Sequence, residues 1–73
     1  MKTLDTKGLN CPLPVLKAKK ALQALGKGDI LAVLATDPSA PKDFKSFCEA
    51  TGHELVEVAE ADGVYTVTVR KSA

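Results

Sequence analysis

Ile30-Leu31-Ala32-Val33-Leu34-Ala35 is an unbroken apolar run, with Gly26-Lys27-Gly28 before it and Asp37-Pro38 after it. A run this short and continuous, set between turn residues, reads as a strand buried in a sheet, Asp29 to Thr36 with its flanks. What precedes it fixes how it pairs. Val15 to Leu25 is rich in strong helix formers and stops at Gly26, and it is opened by Pro12 and Pro14. Proline is tolerated only in a first turn, so two of them at a spacing of two mark a helix start and predict a helix over Pro12–Leu25. Before that helix, Lys2 to Thr6 alternates around Leu4 as a short strand. Two strands joined through a helix are expected to lie parallel, with a right-handed crossover.

Projected at a hundred degrees per residue, Val15, Ala18, Ala21, Leu22 and Leu25 form the stripe that packs on the sheet. Leu13 and Leu16 fall on the other side, among Lys17, Lys20 and Gln23. Downstream, Asp37 to Pro41 is a loop with Ser39 or Ala40 near a cap. It leads into a helix over about Pro41 to Thr51, with an apolar stripe of Phe44, Phe47, Cys48 and Thr51 and a stop at Gly52. Glu54–Glu60 and Val64–Lys71 alternate as strands around Ala61-Asp62-Gly63, a hairpin signal, with Val56, Val58, Tyr65, Val67 and Val69 expected to face the helices. The chain is therefore α+β, ordered βαβαββ: a four-stranded mixed sheet with two helices on one face, forming one domain over 1–73.

The chemically distinctive stretch is Gly8-Leu9-Asn10-Cys11-Pro12-Leu13-Pro14. Cys11 is read as the N-cap of the first helix, or as its first residue with Asn10 as cap. Helix starts stabilise anions, and cysteines there commonly have pKa values lowered from about 8.5 to roughly 3.5–7.5. With two prolines removing donors, the Leu13 N–H is the main one left for the sulfur. A moderate lowering is expected, with Lys7 and Lys17 helping.

Ten Lys and Arg balance nine Asp and Glu without a block of like charge, so no nucleic-acid partner is called for. The segment Met1 to Asp5 lacks the apolar run of a signal peptide, and Ile30–Ala35 is far too short to span a bilayer, so a cytoplasmic location and no membrane partner are expected. Cys11 and Cys48 are poor candidates for a structural disulfide in a reducing compartment. No CxxC or Cys/His cluster points to a metal, and no cofactor motif is present, so no metal and no cofactor are expected.

From Leu4 through the Cys-Pro-X-Pro element, Thr36-Asp37-Pro38, Asp43, Phe47-Cys48 and Gly52-His53, the chain closely resembles the TusA/SirA family of sulfur-carrier proteins. The resemblance covers nearly the whole length. It implies a two-layer α/β sandwich similar to the C-terminal domain of translation initiation factor 3, with Cys11 carrying sulfane sulfur as a persulfide. Gly8, Pro12, Leu13 and Pro14 would support that cysteine. The implied partners are a sulfur donor, either a cysteine desulfurase or a rhodanese, and a cysteine-bearing acceptor protein. The implied destinations are 2-thiouridine in tRNA, molybdenum-cofactor maturation or cytoplasmic sulfur oxidation. Such a chain acts as a reusable substrate within a relay, more than as a stand-alone enzyme, and is expected to be a monomer that enters transient complexes.

A relay needs a docking surface near the thiol, and Leu13 and Leu16 with Lys17 and Lys20 supply an apolar patch with a cationic rim. Cys48 reads as core packing in preference to a resolving thiol. His53 reads as a surface histidine, Lys19 as solvated, and Asp37 and Asp43 as serving the turn and the first turn of the second helix. Two other classes use the same features differently. A thiol-redox protein would also need a reactive Cys11 but with a resolving partner, and an RNA-binding module rests on fold analogy alone.

Overall fold

A computed structural model of the chain describes residues 2–72; the ends of the expected 1–73 domain, Met1 and Ala73, lie outside the described residues. The elements are β1 (Lys2–Thr6), α1 (Leu13–Gln23), β2 (Ile30–Ala35), α2 (Ala40–Thr51), β3 (Glu54–Ala61) and β4 (Val64–Arg70). In the sheet they are ordered β1-β2-β4-β3. β1 and β2 are parallel in the register Leu4 to Val33 and Thr6 to Ala35. β4 lies antiparallel between β2 and β3.

Cross-strand partners share a face of a sheet, so the register sorts the side chains. Leu31, Val33 and Ala35 lie on the same face as their β4 partners Val69, Val67 and Tyr65. All of these but Tyr65 are buried, in one cluster with Ala18 and Leu22 of α1 and Phe44 and Cys48 of α2. Both helices therefore cover this one face, as expected. The run that reads as a buried strand is buried for different reasons along its length. Leu31, Val33 and Ala35 meet the helices, whereas Ala32 is a short side chain on the other face, flanked by Thr3 and Thr68.

Helix α1 is shorter than the predicted Pro12–Leu25 span, because Ala24 and Leu25 close i→i−3 turns onto Ala21 and Leu22 in place of another α turn. Its buried residues are Pro14, Ala18 and Leu22, with Val15, Ala21 and Leu25 only partly covered at the edges of the stripe. Helix α2 ends as predicted, Gly52 taking the left-handed conformation at φ 84° while its N–H returns to the Cys48 carbonyl. The β3–β4 hairpin turns on Asp62 and Gly63, whose φ values of 53° and 78° are the positive pair that a two-residue turn between twisted strands requires.

One assignment of faces is corrected. Val56 and Val58, expected against the helices, are 41% and 39% exposed. A register shift between Leu55 and Glu57 interrupts the alternation, so Leu55, not Val56, joins the core. Val58 pairs with the buried Val67, but it sits on the edge strand, with a neighbouring strand on one side only.

Candidate functional site

Because β1 and β2 are parallel and adjacent, the loops that leave their C-terminal ends emerge side by side. The first carries Cys11 and the second carries Asp37. Three hydrogen bonds join this end of the molecule: Thr6 Oγ1 donates to the Leu34 carbonyl at 2.6 Å, the Gly8 N–H to Thr36 Oγ1 at 2.9 Å, and the Cys11 N–H to Asp37 Oδ2 at 2.6 Å. Gly8 takes φ 84° with open space where a Cβ would stand, so it is the backbone conformation, not crowding, that calls for glycine. The loop also closes on itself, Leu9 N–H bonding the Thr6 carbonyl at 3.1 Å and Leu13 N–H the Asn10 carbonyl at 2.9 Å. The Cys11–Pro12 peptide bond is cis.

The second loop is an acidic knot. Asp37 Oδ1 accepts from the Ser39 N–H at 3.1 Å and from its hydroxyl at 3.0 Å. The Ser39 hydroxyl also lies 3.2 Å from Asp43 Oδ2, so one serine links the two carboxylates. Ser39 does occupy the N-cap of α2, as expected, but its side chain serves this bridge and makes no capping bond.

These carboxylates reverse the expected electrostatics of Cys11. Hydrogen bonding of the thiol to Asp43, then slight desolvation and the charges of Asp43 and Asp37, hold its pKa above the ordinary 9.0, not below it. The helix-start argument fails for local reasons. Cys11 stands before the N-cap, which is Pro12, and is neither cap nor first helical residue. The Leu13 N–H counted on for the sulfur is spent on Asn10, and neither Lys7 nor Lys17 acts on the thiol.

Asp37 shifts the other way. The Ser39 N–H first, then the Cys11 N–H and the Ser39 hydroxyl, stabilise its ionised form and hold its carboxyl below the ordinary 3.8. Its hydrogen bonds therefore favour the folded loop fully above the unfolded value near 3.8, and this contribution is lost as pH falls through the lower folded value. In an NMR titration the Cys11 and Ser39 amide signals are expected to shift together with a midpoint below 3.8; a midpoint at or above 3.8 contradicts this.

Cys11 is exposed and Cys48 is buried in the core, where burial raises its thiol pKa. Pro14 is buried, whereas Gly8, Pro12 and Leu13 are exposed. Leu13 and Leu16, 45% and 53% exposed, continue into exposed Lys17 and Lys20 along one stripe of α1 that begins at the cysteine loop. His53 belongs elsewhere. It follows the C-terminal end of α2, opposite Asp43, with Nδ1 accepting from the Ser72 N–H at 3.2 Å and its ring 5.8 Å from that of Phe47. It lines, with Leu22 and Lys19, a crevice of about 230 Å³ that does not include Cys11.

Sequence reasoning gave Asp37 and Asp43 only local duties and missed their reach to the thiol. The available signal was topological: parallel adjacent strands ending at Thr6 and Ala35 must bring the residues that follow each of them together. Among the described residues no group of three or more His, Cys, Asp and Glu side chains could hold a metal ion, and no helix is long and apolar enough to cross a membrane.

Comparison with known proteins identifies the family. A family model described as Sulfurtransferase TusA matches residues 2–71. A Neisseria meningitidis protein named as a candidate sulfur carrier is 57% identical over 68 residues, covering 93% of this chain and 92% of that one. The sulfur carrier protein TusA of Allochromatium vinosum is 51% identical, covering 94% and 91% of the two chains. The crystal structure of a SirA-like protein from Desulfitobacterium hafniense superposes over 100% of both chains with a TM-score of 0.87 at 36% identity. Matched along nearly its whole length in both sequence and fold, this chain belongs to the TusA sulfurtransferase family.

Proposed function

We propose that this chain is a sulfur carrier that takes up sulfane sulfur as a persulfide on Cys11 and relays it to an acceptor protein. The observation that carries the reading is the contrast between the two thiols: Cys11 is open to a partner on a tethered loop, and Cys48 is sealed in the core. Relatives named as sulfur carriers support it.

Loading is attack of the Cys11 thiolate on the outer sulfur of a donor persulfide, R–S–SH, forming Cys11–S–SH and releasing R–S⁻. Discharge is attack of an acceptor thiolate on that same outer sulfur, with Cys11 leaving as thiolate. A pKa above the ordinary range cuts both ways. Less thiolate is present at neutral pH, although each thiolate is the stronger nucleophile. Cys11 is also a poorer leaving group, which slows discharge to any acceptor thiol, the intended one included. The same property weakens the thiol-redox alternative, which also needs a resolving cysteine that the buried Cys48 does not supply.

The donors in this reading are a cysteine desulfurase or a rhodanese, the acceptor bears a cysteine, and the outlet is tRNA thiolation, molybdenum-cofactor maturation or sulfur oxidation. The α1 stripe of Leu13, Leu16, Lys17 and Lys20 is the docking surface. Reversing charge at Lys17 and Lys20 together is expected to slow transfer to an acidic partner by about tenfold at low salt, with less effect at high salt, through a loss in association rate. Equal transfer rates by the altered and unaltered chains at low salt would remove this surface from the relay.

The test of function is intact mass with peptide mapping after the reduced chain is incubated with a desulfurase plus cysteine and, separately, a rhodanese plus thiosulfate. One added sulfur on Cys11, removable by reductant, is expected from at least one donor. No uptake from either, with the fold intact, rejects the proposal.

A further inference from the structure

Cys11 is exposed, yet the charged group hydrogen-bonded to its own backbone is a carboxylate, that of Asp37. Asp37 cannot easily swing away, since its carboxylate accepts from the Cys11 N–H, the Ser39 N–H and the Ser39 hydroxyl. Asp43 Oδ2 lies 3.2 Å from the same hydroxyl, whose single proton serves one carboxylate at a time. Both are partly buried, Asp37 in the loop after β2 and Asp43 in the first turn of α2, and neither is ion-paired: among the described residues the one ion pair is Arg70–Glu54, on β4 and β3.

Resting on the sulfur-carrier reading, we propose that Asp37 and Asp43 determine donor specificity, disfavouring small anionic sulfur sources such as thiosulfate or polysulfide at Cys11 and reserving loading for a persulfide held on a protein. The reason is electrostatic. A free anion must bring its own charge to the sulfur past Asp37, held against the Cys11 N–H, and Asp43, joined to Asp37 through Ser39, and among the described residues no lysine is ion-paired with either carboxylate. A persulfide on a partner protein arrives within an interface whose surrounding groups can compensate those charges.

Alkylation isolates this field from sulfur chemistry. Iodoacetamide is neutral and iodoacetate anionic, and both consume thiolate, so the ratio of their rates at Cys11 cancels the thiolate fraction and reports charge alone. The reference is a capped peptide spanning Leu9 to Val15, which contains no carboxylate. At about 10 mM ionic strength the iodoacetate to iodoacetamide ratio in the folded chain is expected to lie about three- to tenfold below the peptide's. It should climb part of the way back in Asp43→Asn and in Asp37→Asn, most of the way when both are made together, and most of the way in the unaltered chain at about 1 M salt, where screening acts within about 3 Å and no substitution is needed. A ratio within twofold of the peptide's at low salt, or a low ratio indifferent to both salt and Asp43→Asn, overturns the proposal. The two readings fail separately: loading by a desulfurase with a peptide-like ratio removes the charge filter alone, and a depressed ratio with no loading from any donor removes the carrier.

Discussion

The Cys11→Ser chain is expected to take up no sulfur from either donor, a loss of at least about a hundredfold, while keeping the stability of the unaltered protein to within about 0.5 kcal/mol. The two halves of that expectation have separate causes. A serine hydroxyl does not ionise near neutral pH and is a far weaker nucleophile than a thiolate, so the bond to sulfane sulfur does not form. The fold is indifferent because the Cys11 side chain is exposed and what ties its loop down is the backbone N–H to Asp37, which serine retains. Cys48 remains in this variant as an internal control. Its burial at 5% exposure predicts that it takes none of the sulfur that Cys11 no longer accepts. Sulfur found on Cys48, or loading that survives the substitution, would show that the exposed thiol is not the carrier. Circular dichroism and urea unfolding alongside the mass measurement separate lost chemistry from lost structure.

Much of the fold is legible in the sequence because the signals are strong and local. The run Ile30–Ala35, the prolines that open α1, the glycine that ends α2 and the Asp62-Gly63 turn each have one inexpensive conformation, and together they leave a single order of elements. Leu13 and Leu16 could be placed outside the core, and Cys48 within it, from helical spacing alone. Val56 and Val58 could not be placed. Their alternation is regular, and the register shift between Leu55 and Glu57 that spoils it is set by pairing with β4, not by anything in the segment itself. The site divides in the same way. The cysteine announces itself by its neighbours in the chain, but the carboxylates that push its pKa up, Asp43 and Asp37, lie far along the sequence, and Asp37 is brought to the Cys11 N–H by the parallel pairing of β1 with β2. A local rule about helix starts gave the wrong sign for Cys11 because it counted N–H groups near the sulfur and not carboxylates arriving from another loop.

Phe44→Ala is expected to be the most damaging substitution in the core, costing about 3–5 kcal/mol. Phe44 is fully buried, belongs to the cluster that joins α2 to Leu22, Leu31, Val33, Val67 and Val69, and meets Phe47 edge to face at 6.3 Å. A domain of this size has roughly 4–11 kcal/mol in hand at the usual 0.05–0.15 kcal/mol per residue, so the loss is a large part of the whole and lowers the urea midpoint steeply. Leu16→Ala, of similar apolar size but exposed, should shift the urea midpoint little, which makes the pair a measure of burial and not of residue type. The consequence reaches the site through one peptide bond. Asp43 precedes Phe44, and the first turn of α2 that holds the Ser39 bridge stays in place because Phe44 anchors it to the sheet. Loosening that anchor is expected to free the carboxylates from Cys11 before the sheet itself melts, so that in rising urea the alkylation rate of Cys11 increases ahead of the circular dichroism transition, and by a wider margin in Phe44→Ala than in the unaltered chain. Coincident transitions in both proteins would mean that α2 and the sheet unfold as one unit, and that Phe44 stabilises the whole domain without any particular hold on the site.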